Sequence, residues 1–422
     1  MLAPYRRLFS AKGSVGFTTT GFLARLALSM SGVGTVVMIA SIRDSYALAG
    51  AVGGASLATT LLTVPLLGRL VDRYGQSRIA VPAAVWSALM SAALVTCLSL
   101  DAPTWTLFAT SVLSATAPNV GGMARARWAD LYDGDADSMH VANSFEQVLD
   151  ELCFILGPLL AVALATGVAP EAGRIAPLLL TLVGTVLFAA QRSTEPRVKP
   201  ADPGATRSPL RNRGLQVMML VFLFTGSVFG SLEMATVAYT ESLGHKSSAG
   251  MVLALQAIGS AVAGMVFGAL TLRGTSTSRF IAGVGGMAAL MLPLNLAGGM
   301  WSLAGLMFVA GMATSPTMIT GMGLVMELIP RSQINEGMTL AVTSLLGGIA
   351  LGSTVAGWSV ERFGADSGYL LPSSAAVLAL LVAAAGLAWL RREVAARSAE
   401  SAPEADEAPE AEEATEPSAA LA

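Results

Sequence analysis

"GRLVDRYGQSR", residues 68–78, lies between two apolar stretches of about twenty residues each, and how this turn is read decides the fold. It gathers Arg69, Asp72, Arg73 and Arg78 between two glycine-marked points, in a chain that is 54% hydrophobic and only 13% charged. Soluble domains carry about 25% charged residues, so this is the composition of a membrane protein. The net charge of −3 comes from the tail. No basic residue follows Arg397, whereas Glu404, Asp406, Glu407, Glu410, Glu412, Glu413 and Glu416 do, among Ala and Pro. That pattern predicts a solvated, disordered acidic tail. The two cysteines, Cys97 and Cys153, lie in apolar segments without metal-ligand spacing. They predict no disulfide framework, no metal and no cofactor.

Outward from the turn, apolar runs long enough to cross a hydrocarbon core need about 20 residues at ~1.5 Å each. Twelve occur, at approximately 18–41, 47–68, 79–100, 104–126, 142–166, 174–191, 215–240, 249–271, 279–298, 301–326, 337–360 and 371–391. Arg6, Arg7 and Lys12 precede the first, but its core from Gly21 to Ile42 is too long for a cleaved signal peptide. The Pro-rich, charged stretch "RSTEPRVKPADPGATRSPLRNRG" (192–214) separates the sixth run from the seventh. The expected organisation is an all-α membrane protein with twelve transmembrane helices in two pseudo-symmetric six-helix bundles. The first bundle is 1–192, a cytoplasmic linker 193–213, the second bundle 214–392 and a disordered acidic tail 393–422.

Charge orients this arrangement. With a cytoplasmic N-terminus, twenty Lys and Arg fall on the cytoplasmic side, Arg125, Arg127 and Arg331 among them. Four fall opposite, namely Arg43, Arg174, Lys246 and Arg362. This bias places both termini in the cytoplasm of a multi-pass protein of the cell (inner) membrane. The halves also echo each other. "ATAP" at 115–118 returns as "ATSP" at 313–316, and "GRLVDR" at 68–73 as "GALTLR" at 268–273, with Leu272 in place of Asp72. Duplicated six-helix units are a mark of secondary transporters.

Gly68, Leu70, Asp72, Arg73 and Gly75 stand in the order of the signature loop of the major facilitator superfamily, which the chain resembles from residue 1 to about 392. Gln76 and Ser77 replace the family's usual basic pair, and Arg78 supplies a later charge. The resemblance implies a conformational gate of Gly68, Leu70, Asp72, Arg73, Gly75 and Arg78. In it Asp72 faces the N-terminus of helix eleven, near Asn335 and Gly337, when the cytoplasmic side is closed. The residue types suit that role. Gly68 lets a neighbouring helix approach, Gly75 permits the turn backbone, and a carboxylate at Asp72 complements a positive helix N-terminus. Arg69 and Arg78 read as orientation charges. The resemblance further implies that helices one, four, seven and ten line a central cavity, which would place Arg25, Asn119 and Glu233 at it.

Ionisable residues within membrane spans are functional candidates by default. Arg25 lies about two turns into helix one. Asp150 and Glu151 lie at similar depth in helix five, within "NSFEQVLDELCFILGP" (143–158). Arg25 is eight residues beyond Phe17 and Asp150 nine beyond Val141, so both sit roughly 12–14 Å along their helices. Pairing is therefore expected, with Asp150 preferred to Glu151, and either a structural or a mechanistic role fits it. Glu146 is expected to be exposed near the headgroups. Glu233, in "VFGSLEMATVAY" (228–239), has no evident cationic partner, which points to reversible protonation. Arg25, Asn119, Asp150, Glu151 and Glu233 are thus the candidates for proton coupling or substrate contact. Pro118, Pro158 and Pro316 are candidate helix kinks.

Proton-coupled drug exporters of the superfamily carry an arginine in helix four and a GPxxGG motif in helix five. Here helix four reads "TLFATSVLSATAPNVGGM" (106–123) with no central arginine, and only Gly157 and Pro158 match in helix five. The expected function is secondary active transport of a small molecule, with proton-coupled export of a drug-like or metabolite substrate preferred. The alternatives are proton-linked uptake and a membrane sensor that keeps the fold without flux. His140 and His245 are peripheral and no phosphate-binding loop occurs, so an enzyme is not expected. The expected partners are the substrate, protons and the lipid bilayer, with no nucleic acid, and the chain is expected to be a monomer.

Overall fold

A computed structural model describes residues 3–198, 209–244, 248–270, 274–364 and 368–400. Expectations for the linker centre, His245, Lys246, Leu272, Arg273 and the acids of the tail lie outside these residues. The described residues form helices and no strand. A short α1 (Ala3–Leu8) precedes α2 (Ser14–Arg43), α3 (Tyr46–Tyr74), α4 (Gln76–Ser99), α5 (Thr104–Ser114), α6 (Val120–Leu131), α7 (Ala136–Gly167) and α8 (Ala172–Ala190). The second half comprises α9 (Arg213–Ser242), α10 (Ala249–Ala269), α11 (Ser276–Met291), α12 (Met300–Leu328), α13 (Ile334–Phe363) and α14 (Leu370–Glu400). Among the described residues, 11 helices are long and apolar enough to cross a membrane. The twelfth crossing is made by α5 and α6 together. The even number of crossings brings both chain ends to one side, here called the terminal face.

The expected span 104–126 is therefore divided. Residues 115–119 are not helical, because Pro118 has no N–H and its ring clashes with a continuous helix. A break at membrane depth must have its freed backbone groups satisfied by protein. Trp86 Nε1 donates to Leu113 O at 3.2 Å, Ser87 Oγ to Ser114 O at 2.6 Å and Thr63 Oγ1 to Ala115 O at 2.7 Å. On the other side of the break, the Asn119 side chain accepts the Gly122 N–H at 3.1 Å. Arg174, counted above among the four charges on the non-cytoplasmic side, is buried beside the end of α5 and donates to Ser91 Oγ and Ser114 Oγ at 2.8 and 3.2 Å. A cation complements the negative end of a helix. Pro158 and Pro316, by contrast, lie within the uninterrupted α7 and α12.

Other boundaries also move. The Asp135 side chain accepts the Ser138 N–H at 3.0 Å and starts α7 at Ala136, six residues before the expected 142. The backbone and hydroxyl of Ser138 hold the Asp135 carboxyl below the usual carboxylate range. At the C-terminus α14 continues to Glu400, so residues 393–400 of the expected disordered tail are helical.

In the first half α2 packs on α8 and α7; in the second α9 lies along α13 and α14, and α10 along α12. The α9–α13 seam brings backbones into contact. A Cβ at Gly226 would stand 2.0 Å from Leu345 O, and one at Gly348 2.0 Å from Leu223 O. Large apolar residues such as Leu62, Leu66 and Trp301 remain on the outer surface, as lipid contact requires.

Candidate functional site

The turn at 68–78 sits on the terminal face. Gly75 (φ +96°) ends α3 and starts α4, a backbone state open to glycine. One turn earlier the Asp72 carboxylate accepts the Asn335 N–H at 3.1 Å, Asn335 Nδ2 at 2.6 Å and the Glu336 N–H at 2.7 Å. Those backbone groups belong to the first turn of α13, where N–H groups have no partner within the helix. Gly68 lies under the same turn; a Cβ there would stand 2.8 Å from Asn335 O and 3.1 Å from Glu336 Cα. Arg69, expected to be only an orientation charge, reaches across to Glu336 Oε1 at 2.6 Å. Arg331 and Asp133 form a second ion pair between the halves. Leu70, Arg73 and Arg78 are exposed, Arg73 lying against the ring of its neighbour Tyr74.

Where the family's basic pair is replaced, an arginine arrives from helix four. Arg127, counted above as cytoplasmic, is fully buried. It donates to Gln76 Oε1 at 2.9 Å, Gln191 O at 3.1 Å and Thr194 Oγ1 at 2.9 Å, over the ring of Phe188 at 3.8 Å. Ser77 N–H donates to Glu195 Oε1 at 2.7 Å. The start of the linker is thereby fastened to α4 and α6.

Deeper in the first bundle four charges meet. Arg25 Nη2 is 2.5 Å from Glu146 Oε2, Arg25 Nη1 is 3.0 Å from Asp150 Oδ1, and Arg125 Nη2 is 2.7 Å from Asp150 Oδ2. Trp128 Nε1 donates to Glu146 Oε1 at 2.6 Å. Two expectations are overturned here. Glu146 is fully buried rather than exposed near the headgroups, because α7 begins six residues early and so carries it two turns deeper. Arg125, counted above as a cytoplasmic charge at the end of the expected span 104–126, is a buried arginine inside this crossing, because the crossing runs on to Leu131. Arg25 pairs with Asp150 and Glu146 and not with Glu151. The i, i+4 spacing of Glu146 and Asp150 was the signal that one guanidinium could meet both.

Glu151 points instead at the second bundle. Its Oε1 accepts Gln147 Nε2 at 3.1 Å and Ser260 Oγ at 2.8 Å, and Thr314 Oγ1 lies 2.8 Å from Ser260 Oγ. Asn119 Nδ2 approaches Thr339 Oγ1 at 3.5 Å. Glu233 is exposed on α9 and has no hydrogen-bond or ion-pair partner among the described residues. His140 Nε2 lies 2.8 Å from Phe267 O, and Tyr5 Oη donates to Met265 O at 2.9 Å. These polar links between bundles all lie between the terminal face and mid-helix, the Glu151–Ser260 bond marking their inner limit. No group of three or more His, Cys, Asp or Glu able to hold a metal occurs among the described residues.

Comparison with known proteins agrees with this arrangement. The human organic anion transporter MFSD10 (TETRAN) is similar at a TM-score of 0.68 and 14% identity, covering 88% of this chain and 100% of that one. A bacterial homologue of the iron transporter ferroportin in an outward-facing state gives 0.71 at 14% identity over 90% and 100%. The E. coli fucose:proton symporter FucP gives 0.64 at 14% identity over 88% and 97%. At these identities the likeness concerns the fold. No curated protein matches the sequence. The family model described as Major Facilitator Superfamily matches residues 17–293 and 218–419, together nearly the whole chain. With twelve crossings, two bundles and the turn at 68–78 seated on α13, the chain belongs to the Major Facilitator Superfamily.

Proposed function

We propose that this transporter exports a small molecule by alternating access in exchange for protons, as a monomer in the cell (inner) membrane with its terminal face in the cytoplasm. The observation that carries alternating access is the one-sided distribution of the polar links between the bundles among the described residues. Asp72, Arg69 and Arg331 hold the terminal side together, whereas the polar links end at Glu151 and Ser260 in mid-helix. Two bundles joined at one end alone can part there and meet at the other. Residues 1–192 and 214–392 are the moving units on this reading, with 193–213 between them. Gly68, Leu70, Asp72, Arg73, Gly75 and Arg78 form the gate on the cytoplasmic side.

Proton coupling is supported by ionisable groups held at membrane depth, where they are retained for use rather than for stability. Arg25, Asn119, Asp150, Glu151 and Glu233 are the groups proposed for coupling or substrate contact, joined by Glu146 and Arg125. A solved structure of similar fold is a fucose:proton symporter, so the fold accommodates this coupling. The test is reconstitution into vesicles containing a pH-sensitive dye, with drug-like and metabolite compounds added one at a time across an imposed pH gradient. Export by exchange moves protons against the compound, uptake by symport moves them with it, and a sensor moves none.

A further inference from the structure

The three acids of α7 at membrane depth are held in different ways. Glu146 and Asp150 are tied to Arg25 and Arg125 within the first bundle. Glu151 is buried with neutral partners only, and one of them, Ser260, belongs to the other bundle. The elements packed around it add no compensating charge. Over Ala249–Ala269 α10 carries no titratable residue. The sole ionisable residue of α12 is Glu327, in its last turn, bonded to Ser276 Oγ at 2.6 Å. On α7 itself the neighbouring charge is Asp150, already engaged by two arginines. On α2 and α6 the charges at this depth are Arg25 and Arg125, both turned to Asp150.

We propose that Glu151 is the proton carrier, and that the chain Glu151–Ser260–Thr314 makes its proton a condition for the terminal side to stay closed. This deepens the proton-coupled reading above and rests on it. A buried carboxylate without a cation is costly, and a neutral acid among hydroxyl partners is not. While the bundles are joined here, Glu151 therefore holds its proton. When they part on the terminal side, Ser260 and Thr314 leave with α10 and α12, and Glu151 is left facing water with Gln147 alone. The O–H bond then breaks, the proton passes to water on the terminal side, and the carboxylate keeps the electron pair. Reprotonation comes from water entering on the opposite side as that side opens, and the regained proton then keeps the terminal side closed. Among the described residues no group of the other bundle bonds to Glu233, so its protonation would leave this junction unchanged.

The test measures the distance between spin labels at Asp137→Cys on α7 and Ser278→Cys on α11 in the full chain, with Cys97→Ser and Cys153→Ala, in lipid vesicles from pH 5 to pH 9 (range chosen to span about two units either side of neutrality). The ratio of terminal-open to terminal-closed protein should rise with pH, by about tenfold per pH unit at most for one linked proton. Glu151→Gln should abolish that dependence and leave the closed form dominant. Ser260→Ala, which removes the cross-bundle partner and leaves the acid in place, should move the midpoint to lower pH; this variant decides the matter if Glu151→Gln does not fold. A Glu151→Gln protein with the unchanged pH dependence would overturn the assignment while leaving proton coupling intact. So would a Ser260→Ala midpoint equal to that of the parent. A parent protein whose distances ignore pH would overturn the proton-coupled reading and the assignment with it.

Discussion

The carboxylate of Asp72 accepts the backbone N–H of Glu336 at 2.7 Å, joining the last turn of α3 to the first turn of α13 across the two bundles. An acid placed against free helix N–H groups in this way combines a charge-assisted hydrogen bond with the favourable end of the helix dipole.

Asp72→Asn keeps the shape and removes the charge. A contact of this kind contributes about 0.3–2 kcal/mol, enough to shift a conformational equilibrium severalfold without unfolding the chain. Labelling of a Ser332→Cys thiol at the junction should therefore accelerate severalfold, with little change in thermal stability. An unchanged labelling rate would show that Asp72 does not hold this side closed.

Gly68 tests the same junction by shape. Gly68→Ala sets a Cβ 2.8 Å from Asn335 O, so α13 must retreat, whereas a Cβ at Gly54 on the same helix would meet nothing within 4 Å. Gly68→Ala should open the terminal side at least as much as Asp72→Asn, and Gly54→Ala should be silent in the same labelling assay. Equal behaviour of the two alanines would refute the close-approach account.

The four-charge cluster predicts an order of rescue. Arg25→Ala leaves Glu146 without its cation, and a lone charge at membrane depth costs about 2.5–3.5 kcal/mol. Adding Glu146→Ala leaves Arg125 and Asp150 still paired at 2.7 Å. Adding Asp150→Ala instead leaves Arg125 and Glu146 balanced in number but without a direct ion pair. Yield of folded protein should thus recover most with Arg25→Ala/Glu146→Ala, less with Arg25→Ala/Asp150→Ala and not at all with Arg25→Ala/Glu151→Ala. Rescue by Glu151→Ala would mean that the pairing is wrong.

Tyr5→Phe removes one hydrogen bond, from α1 to Met265 O of the second bundle. A neutral bond contributes about 0.5–1.5 kcal/mol, so terminal-open protein should increase about twofold to tenfold in the spin-label measurement. No change would show that α1 packs on the bundles without restraining them.

What the sequence disclosed follows from what repeats and spacing can encode. The hydrophobic runs revealed the crossings, and the order Gly68–Asp72–Gly75 led to α13. Equal depth brought Arg25 to Asp150. Depth alone does not show where a crossing begins, and Glu146 was misplaced for that reason: "DSMH" before Val141 reads as polar loop, yet Asp135 caps a helix that starts there. Arg125 and Arg127 were lost in the same way, as arginines at the end of an apolar run are indistinguishable from loop charges until their acceptors are known. The break at 115–119 was visible only as Pro118, since its carbonyls are satisfied by Thr63, Trp86 and Ser87 from other helices. The direction of Glu151 was not legible at all. It depends on the azimuth of α7 relative to α10, a tertiary quantity.

The glycine contacts between α9 and α13 carry a mechanical consequence. With Gly226 against Leu345 O and Gly348 against Leu223 O, neither helix can bend away from the other without pulling apart touching backbones. The two act as one beam, about 45 Å long at 1.5 Å per residue, with Asn335 at the end that Asp72 of α3 holds. Tilting such a beam about its middle by enough to free Asn335 by about 5 Å carries the far end a similar distance the other way. Opening one mouth and narrowing the other are then a single see-saw stroke, with no separate signal needed between them. Softening the seam with bulkier residues would let both mouths stand ajar, and the cost would appear as leak.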